Sequence, residues 1–313
     1  MMVTAVVDIE TDALDATKIH CIVASSISGK QKVWIEDECQ QFSDWSRQID
    51  QFIMHNGISF DAPILNRLTG SNIKLSQVRD TLIESQLYNP IRDGGHSLQS
   101  WGERLGYSKG DYNDFSTFNK EMLEYCQRDT ELTRKVAGVL SGEGSSFSDR
   151  SYNLERKVRA IVDQQERNGF AFDIQKATVF LSQLEDEQYS LEEKAQEMFE
   201  PTEVKLKTKT KYIPFNIASR KQIAERLMER GWEPKKHTEK GNVIVSEEIL
   251  SKLDMPEAQM FSRYFLLQKR TGLLKSWIQE CQEDDRVRGR VMTLRTVTGR
   301  MAHNSPNMAQ VPA

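Results

Sequence analysis

Asp8 and Glu10 stand two positions apart in VTAVVDIETD, where a short run of small and β-branched apolar residues ends. In a strand alternate side chains share a face, so the two carboxylates point the same way, about 6–7 Å apart along the backbone, close enough to share one ligand. A strand end meeting solvent would explain the same pair. Asp61 follows in HNGISFDAPIL, at the start of an amphipathic helix, where an acid suits the positive end of the helix dipole and capping alone accounts for it. Tyr125 and Asp129 lie in YCQRD, inside the strongest helical pattern of the chain, at i and i+4 and therefore on one face. Helical Tyr and Asp pairs are common. Singly, each fragment says little; their order, at separations of about fifty and about seventy residues, is far more restrictive.

The elements that must carry these residues are readable from periodicity. VTAVVDI, HCIVASS and KVWI read as three neighbouring strands, and FIMHN as a fourth strand-like run. Helical patterns follow in FDAPILNRL, DTLIESQLY, SLQSWGERLG and FNKEMLEYCQRDTELTRKVAGVL. This order predicts an α/β domain, a mixed sheet flanked by helices. SGEGSSFSD at 141–149 has the composition of a linker, so the expected domains are residues 1–145 and 146–313. The second is mostly helical, with helices predicted over about 150–168, 174–199, within NIASRKQIAERLMERGW, and over about 256–281. RVRGRVMTLRT reads as the opening of a strand for which nothing following offers a partner, and AHNSPNMAQVPA as irregular.

Composition bounds the chemistry. No apolar run approaches the roughly 18 residues of a membrane span, and no secretory signal is visible, which predicts a cytoplasmic protein without a membrane partner. Cys21, Cys39, Cys126 and Cys281 form no C-x-x-C pair, so they read as reduced structural thiols. Residues 1–150 hold 15 Lys and Arg against 22 Asp and Glu, and the remainder 27 against 24. An acidic half that handled nucleic acid would need bound cations to do so.

The succession D-x-E, N-x-x-x-F-D, Y-x-x-x-D resembles the three motifs of the DEDD-type 3′–5′ exonucleases with a tyrosine, the proofreading domains of family A and B DNA polymerases. The resemblance implies a ribonuclease H-like sheet for the first domain. It implies Asp8, Glu10, Asp61 and Asp129 as ligands of two Mg²⁺ or Mn²⁺ ions. Asp8 would bridge both, Glu10 and Asp129 would complete the first, and Asp61 would serve the second, partly through water. Tyr125 would orient the attacking water. Two divalent cations suit the reaction because they stabilise the attacking and leaving oxygens of an in-line displacement, and four packed carboxylates without cations would repel one another. Asn56 and Phe60 match positions that touch the substrate strand in the family, although a turn Asn and a core Phe read equally well. Leu14 and Ile58 are candidates to wedge terminal bases or to join the core; His55 and His96 read as structural residues beside the site.

The second half is similar to the thumb side of phage-type family A polymerases, through QERNGFAFD, FNIASRKQIAERLMERGW and above all TVTGRMAHNSPNMAQVP. The resemblance implies DNA contact by Arg300 and by the lysines of KLKTKTK, Lys205, Lys207, Lys209 and Lys211, for which a Gly-Arg turn and a solvated loop are the plain alternatives. In some phage relatives the connection between these helices carries a long insertion that recruits thioredoxin; the short one here makes thioredoxin an unexpected partner. The palm and finger motifs of nucleotidyl transfer are missing, so polymerisation by this chain alone is not expected, and a second polypeptide carrying palm and fingers is the expected partner alongside primer-template DNA. The expectation is thus a proofreading exonuclease joined to a thumb. Its rivals are a non-catalytic subunit that grips DNA and a ribonuclease of the same superfamily.

Overall fold

In the computed structural model, which describes residues 2–205, 210–309 and 311, two compact units are distinguished. The first holds Met1–Asn168 with Val291–His303, the second Gly169–Arg290 with Asn304–Ala313. Among the described residues no helix is long and apolar enough to cross a membrane.

The first unit is built on β1 (Thr4–Thr11), β2 (Ile19–Ser26), β3 (Gln31–Ile35), α1 (Phe42–Ser46), β4 (Gln51–Met54), α2 (Asp61–Thr69), β5 (Val78–Asp80), α3 (Thr81–Tyr88), α4 (Leu98–Arg104), α5 (Lys120–Glu143) and α6 (Asp149–Asn168). The five strands form one mixed sheet in the order β3-β2-β1-β4-β5. β1 runs antiparallel to β2 and parallel to β4, with Val6 opposite Ile53. Both faces of β1 are covered, which is why its apolar run does not alternate with polar residues. Val7, Ile9, Ile22, Ala24, Phe52 and Met54 join Ala62, Ile64 and Leu65 of α2 in the main core. On the opposite face Val6 and Ile53 meet Ala137 of α5, and Cys21 and Val23 meet Cys126.

α5 begins where Asn119 accepts the Met122 N–H at 2.8 Å, and it runs into the first residues of the Gly/Ser-rich stretch, ending at Glu143. Three further residues form a 3-10 turn before α6. α6 packs within the first unit: the Asp80 N–H donates to Tyr152 Oη at 2.6 Å, and Tyr152 and Ala160 lie against the main core.

The second unit contains β6 (Phe170–Ala171), α7 (Ile174–Met198), β7 (Thr202–Lys205), β8 (Thr210–Ile213), α8 (Arg220–Glu229), α9 (Glu247–Leu250), α10 (Pro256–Glu280) and β9 (Arg286–Val287). Side-chain caps from Asp173, Ser219 and Ser246 start α7, α8 and α9. Phe199, Phe215, Ile223, Leu227, Leu250 and Phe261 centre its core. β7 and β8 pair as an antiparallel hairpin between α7 and α8.

The strand expected to stand unpaired is not unpaired. β9 pairs antiparallel with β6, and β10 (Arg290–Met292) pairs with β11 (Ala302–Asn304), which lies inside the stretch expected to be irregular. These strands therefore find a partner within the chain on one edge each. Strands of two or three residues leave too little sequence for period-2 alternation to register.

Candidate metal centre

The parity of β1 decides which side chains meet. Val6, Asp8 and Glu10 share the face that Val6 shows to α5, so both carboxylates project toward that helix. α5 presents Tyr125, Cys126 and Asp129 there. Ligand atoms of Asp8, Glu10 and Cys126 lie within 4.8 Å of one another. The Cys126 thiol donates to Asp8 Oδ2 at 3.6 Å. A register shift between Glu10 and Thr11 ends the regular ladder at this point. Asp61 arrives from β4, which is parallel to β1; the chain leaves β4 at Met54, turns, and enters α2 with Asp61 as the first helical residue, buried. The four acids thus gather at the carboxyl ends of two adjacent parallel strands.

Their electrostatics record the crowding. Burial raises the Asp8 carboxyl well above its usual range, and the charges of Asp61, Glu10 and Asp129 push it further. Glu10 is pushed up to about 8, by burial and then by Asp129. Burial pushes Asp61 up to about 7, although the Ile9 and Asp61 backbone N–H groups oppose the shift. Asp129 is raised by burial against the pull of Lys109. Tyr125 is raised too, mainly by burial.

One cation stands inside this cluster, and no sequence pattern pointed to it. Lys109 Nζ lies 2.8 Å from Asp129 Oδ2 and 4.9 Å from the centroid of the Tyr125 ring. Asp129 Oδ1, by contrast, is buried without a hydrogen-bond partner. A buried, unpaired carboxylate oxygen is expensive unless something binds it. With four carboxylates and a phenol as the donor set, the residues present fit hard divalent cations such as Mg²⁺ or Mn²⁺.

The turn that delivers Asp61 is held by a second acid outside the cluster. Asp80, buried at the end of β5, accepts from the backbone N–H groups of Asn56 (3.0 Å), Ile58 (3.1 Å) and Leu82 (2.9 Å). Asn56 has φ of 66°, a left-handed conformation that asparagine tolerates better than most residues. Farther along the turn, Ser59 Oγ donates to Asp163 Oδ2 at 2.8 Å and accepts from Arg159 Nε at 2.7 Å, both on α6. Asp80→Ala leaves three N–H groups without their acceptor, so we expect a loss of about 3 kcal/mol or more of folding stability. Urea denaturation of the variant checks this, and an unchanged midpoint would refute it.

The remaining candidates are distributed as follows. Phe60 is the residue before α2 and is half-buried against the main core. Ile58 is core, whereas Leu14 is 89% exposed and does not join it. His55 Nδ1 pairs with Thr81 Oγ1 at 2.9 Å, and burial holds its imidazole down to about 3. His96 Nδ1 pairs with Ser85 Oγ at 2.9 Å. In the second half Lys207 and Lys209 lie outside the described residues; Lys205 ends β7 and Lys211 is exposed on β8. Arg300 is exposed in a tight turn, its N–H donating to Thr296 Oγ1 at 2.9 Å, with Gly299 at φ of 75°.

Comparison with known proteins bears on the whole chain. Residues 182–313 match the family model described as DNA polymerase family A. The DNA-directed DNA polymerase of Escherichia phage T7 is 25% identical over a 442-residue alignment covering 97% of this chain and 62% of the relative. That of Enterobacteria phage T3 is 26% identical over 354 residues, 80% of this chain and 50% of the relative. The chain therefore spans between half and two thirds of the length of these curated relatives. Among solved structures, the POL domain of Pol1 from M. smegmatis, in complex with DNA primer-template and dNTP, shares the fold at a TM-score of 0.74 and 15% identity, over 100% of this chain and 52% of that one. Residues 182–313 thus match the family A DNA polymerase model, and the chain is similar over most of its length to two phage DNA-directed DNA polymerases.

Proposed function

We propose that the first compact unit is a divalent-cation-dependent 3′–5′ exonuclease acting on DNA 3′ ends, a proofreading activity carried in the same chain as the thumb-like helices of a family A polymerase. The observation that carries this reading is the gathering of Asp8, Glu10, Asp61 and Asp129, with Tyr125, at the ends of β1 and β4. The strand order β3-β2-β1-β4-β5, with β2 antiparallel, supports a ribonuclease H-like domain. The polymerase relationship favours DNA over RNA as substrate.

Two Mg²⁺ or Mn²⁺ ions, when bound, would supply Lewis-acid stabilisation of the attacking and leaving oxygens. The chain's own contribution is positional. Asp8 and Glu10 are fixed by the sheet, Asp129 and Tyr125 by α5, and Asp61 by the Asp80-held turn, so the donors are ordered before substrate arrives. The Tyr125 hydroxyl is suited to orient a water by hydrogen bond. Single-stranded or frayed ends are the expected substrates, because a terminal base must leave its stack to reach the carboxylates, and exposed Leu14 offers it an apolar surface. Primer-template DNA is the proposed ligand of the second unit, with Lys211 among its contacts; Arg300, which lies in the first unit, is a separate proposed DNA contact.

The test uses 3′-labelled DNA and RNA oligonucleotides with Mg²⁺ or with EDTA. Mononucleotides should be released from DNA only in the presence of the metal. DNA binding without any release would replace this reading with that of a gripping subunit, and release confined to RNA with that of a ribonuclease.

A further inference from the structure

Lys109 is placed by a set of close contacts that its own loop does not require. The segment after α4 lies directly on that helix at Gly102, where an added Cβ would come within 2.7 Å of the Tyr107 carbonyl oxygen and 3.0 Å of Lys109 N. On one side of Lys109, the Ser108 carbonyl accepts from Arg128 Nε at 2.6 Å. On the other, Gly110 sits so near Tyr125 that a Cβ would meet its ring at 3.3 Å. The backbone is thus pinned to α4 and α5 on both sides of the residue, and its side chain reaches Asp129, where one carboxylate oxygen takes the ammonium and the other has no partner.

We propose that the Lys109 ammonium competes with a divalent cation for the charge of Asp129, so that cation binding at this carboxylate exchanges the ammonium's stabilisation for the metal's. This rests on the reading of the four acids as a metal centre and adds to it a tethered competitor. Physically, one monovalent charge on a flexible stem offsets part of the repulsion among the acids, while a divalent ion ligated by several oxygens offsets more of it. The consequence is a centre whose cation affinity is set below what its carboxylates alone would give, by a residue that is not itself a ligand.

Mn²⁺ binding to the full chain, followed by the electron paramagnetic resonance signal of free Mn²⁺, tests this without reference to hydrolysis. Lys109→Met should bind Mn²⁺ about tenfold more tightly than the wild type, and Lys109→Arg should not. Thermal unfolding in EDTA supplies the second readout: Lys109→Met should melt lower than the wild type, because its acids have lost their internal counter-charge. Should Lys109→Met fail to fold by circular dichroism, Lys109→Gln, which keeps a polar head, takes its place. Equal or weaker Mn²⁺ affinity in the neutral variant overturns the exchange alone. Absence of saturable Mn²⁺ binding in both wild type and variant overturns the exchange together with the metal centre.

Discussion

Asp8→Ala should reduce release of nucleotides from a DNA 3′ end by about 1,000-fold or more, the loss expected when several kcal/mol of cation-borne transition-state stabilisation disappears. Asp8 is the acid to remove because it is the central one: its carboxyl is repelled by Asp61, Glu10 and Asp129 together. The same repulsion predicts what happens to the fold. A buried carboxylate held against three others contributes little to stability without cations, so the variant should melt in EDTA at the wild-type temperature or above it. Loss of activity with retained stability is the signature of a removed ligand. Substantial activity in a pure Asp8→Ala preparation would refute the exonuclease reading, and collapse of the fold would refute the electrostatic account.

What the sequence disclosed followed from periodicity and spacing. The long amphipathic patterns of α5 and α7 carry many repeats of their period, and these helices, like α8 and α10, stand where the sequence predicts them. The acids of β1 and α5 were visible because alternation in a strand and i, i+4 spacing in a helix each imply a shared face. Lys109 was not visible, since YSKGDYNDFSTF has no period and the residue's position depends on close approaches at Gly102 and Gly110. Asp80 opens α3 as an ordinary cap, and only the three-dimensional turn reveals that it also accepts from Asn56 and Ile58. The stretch SGEGSSFSD has the composition of a flexible linker, yet α5 uses its first residues as a last turn and the Tyr88 and Phe147 rings pack 4.8 Å apart beside it. Composition reports what a segment can do alone, whereas packing decides what it does.

The crowding of the acids makes stability depend on pH in a direction opposite to that of most proteins with paired carboxylates. Glu10 is raised from 4.5 to about 8 in the folded chain, and Asp61 from 3.8 to about 7. At pH values between the unfolded and folded figures the folded state holds protons that the unfolded state has released, so stability falls as pH rises. In EDTA the melting temperature should therefore decline from about pH 5 to about pH 8 and level off beyond, once these groups are ionised in both states. Mg²⁺ should flatten or reverse that decline, because a bound cation favours the ionised acids and competes with protons for them. The stabilisation by Mg²⁺ should accordingly be small near pH 5 and largest above pH 7. Thermal melts across this range, with Mg²⁺ and with EDTA, provide the measurement. Glu10→Gln removes one of the titrating groups and should shallow the EDTA slope. A melting temperature that climbs through the same window in EDTA would mean that these carboxylates are held ionised by partners within the protein rather than by metal ions.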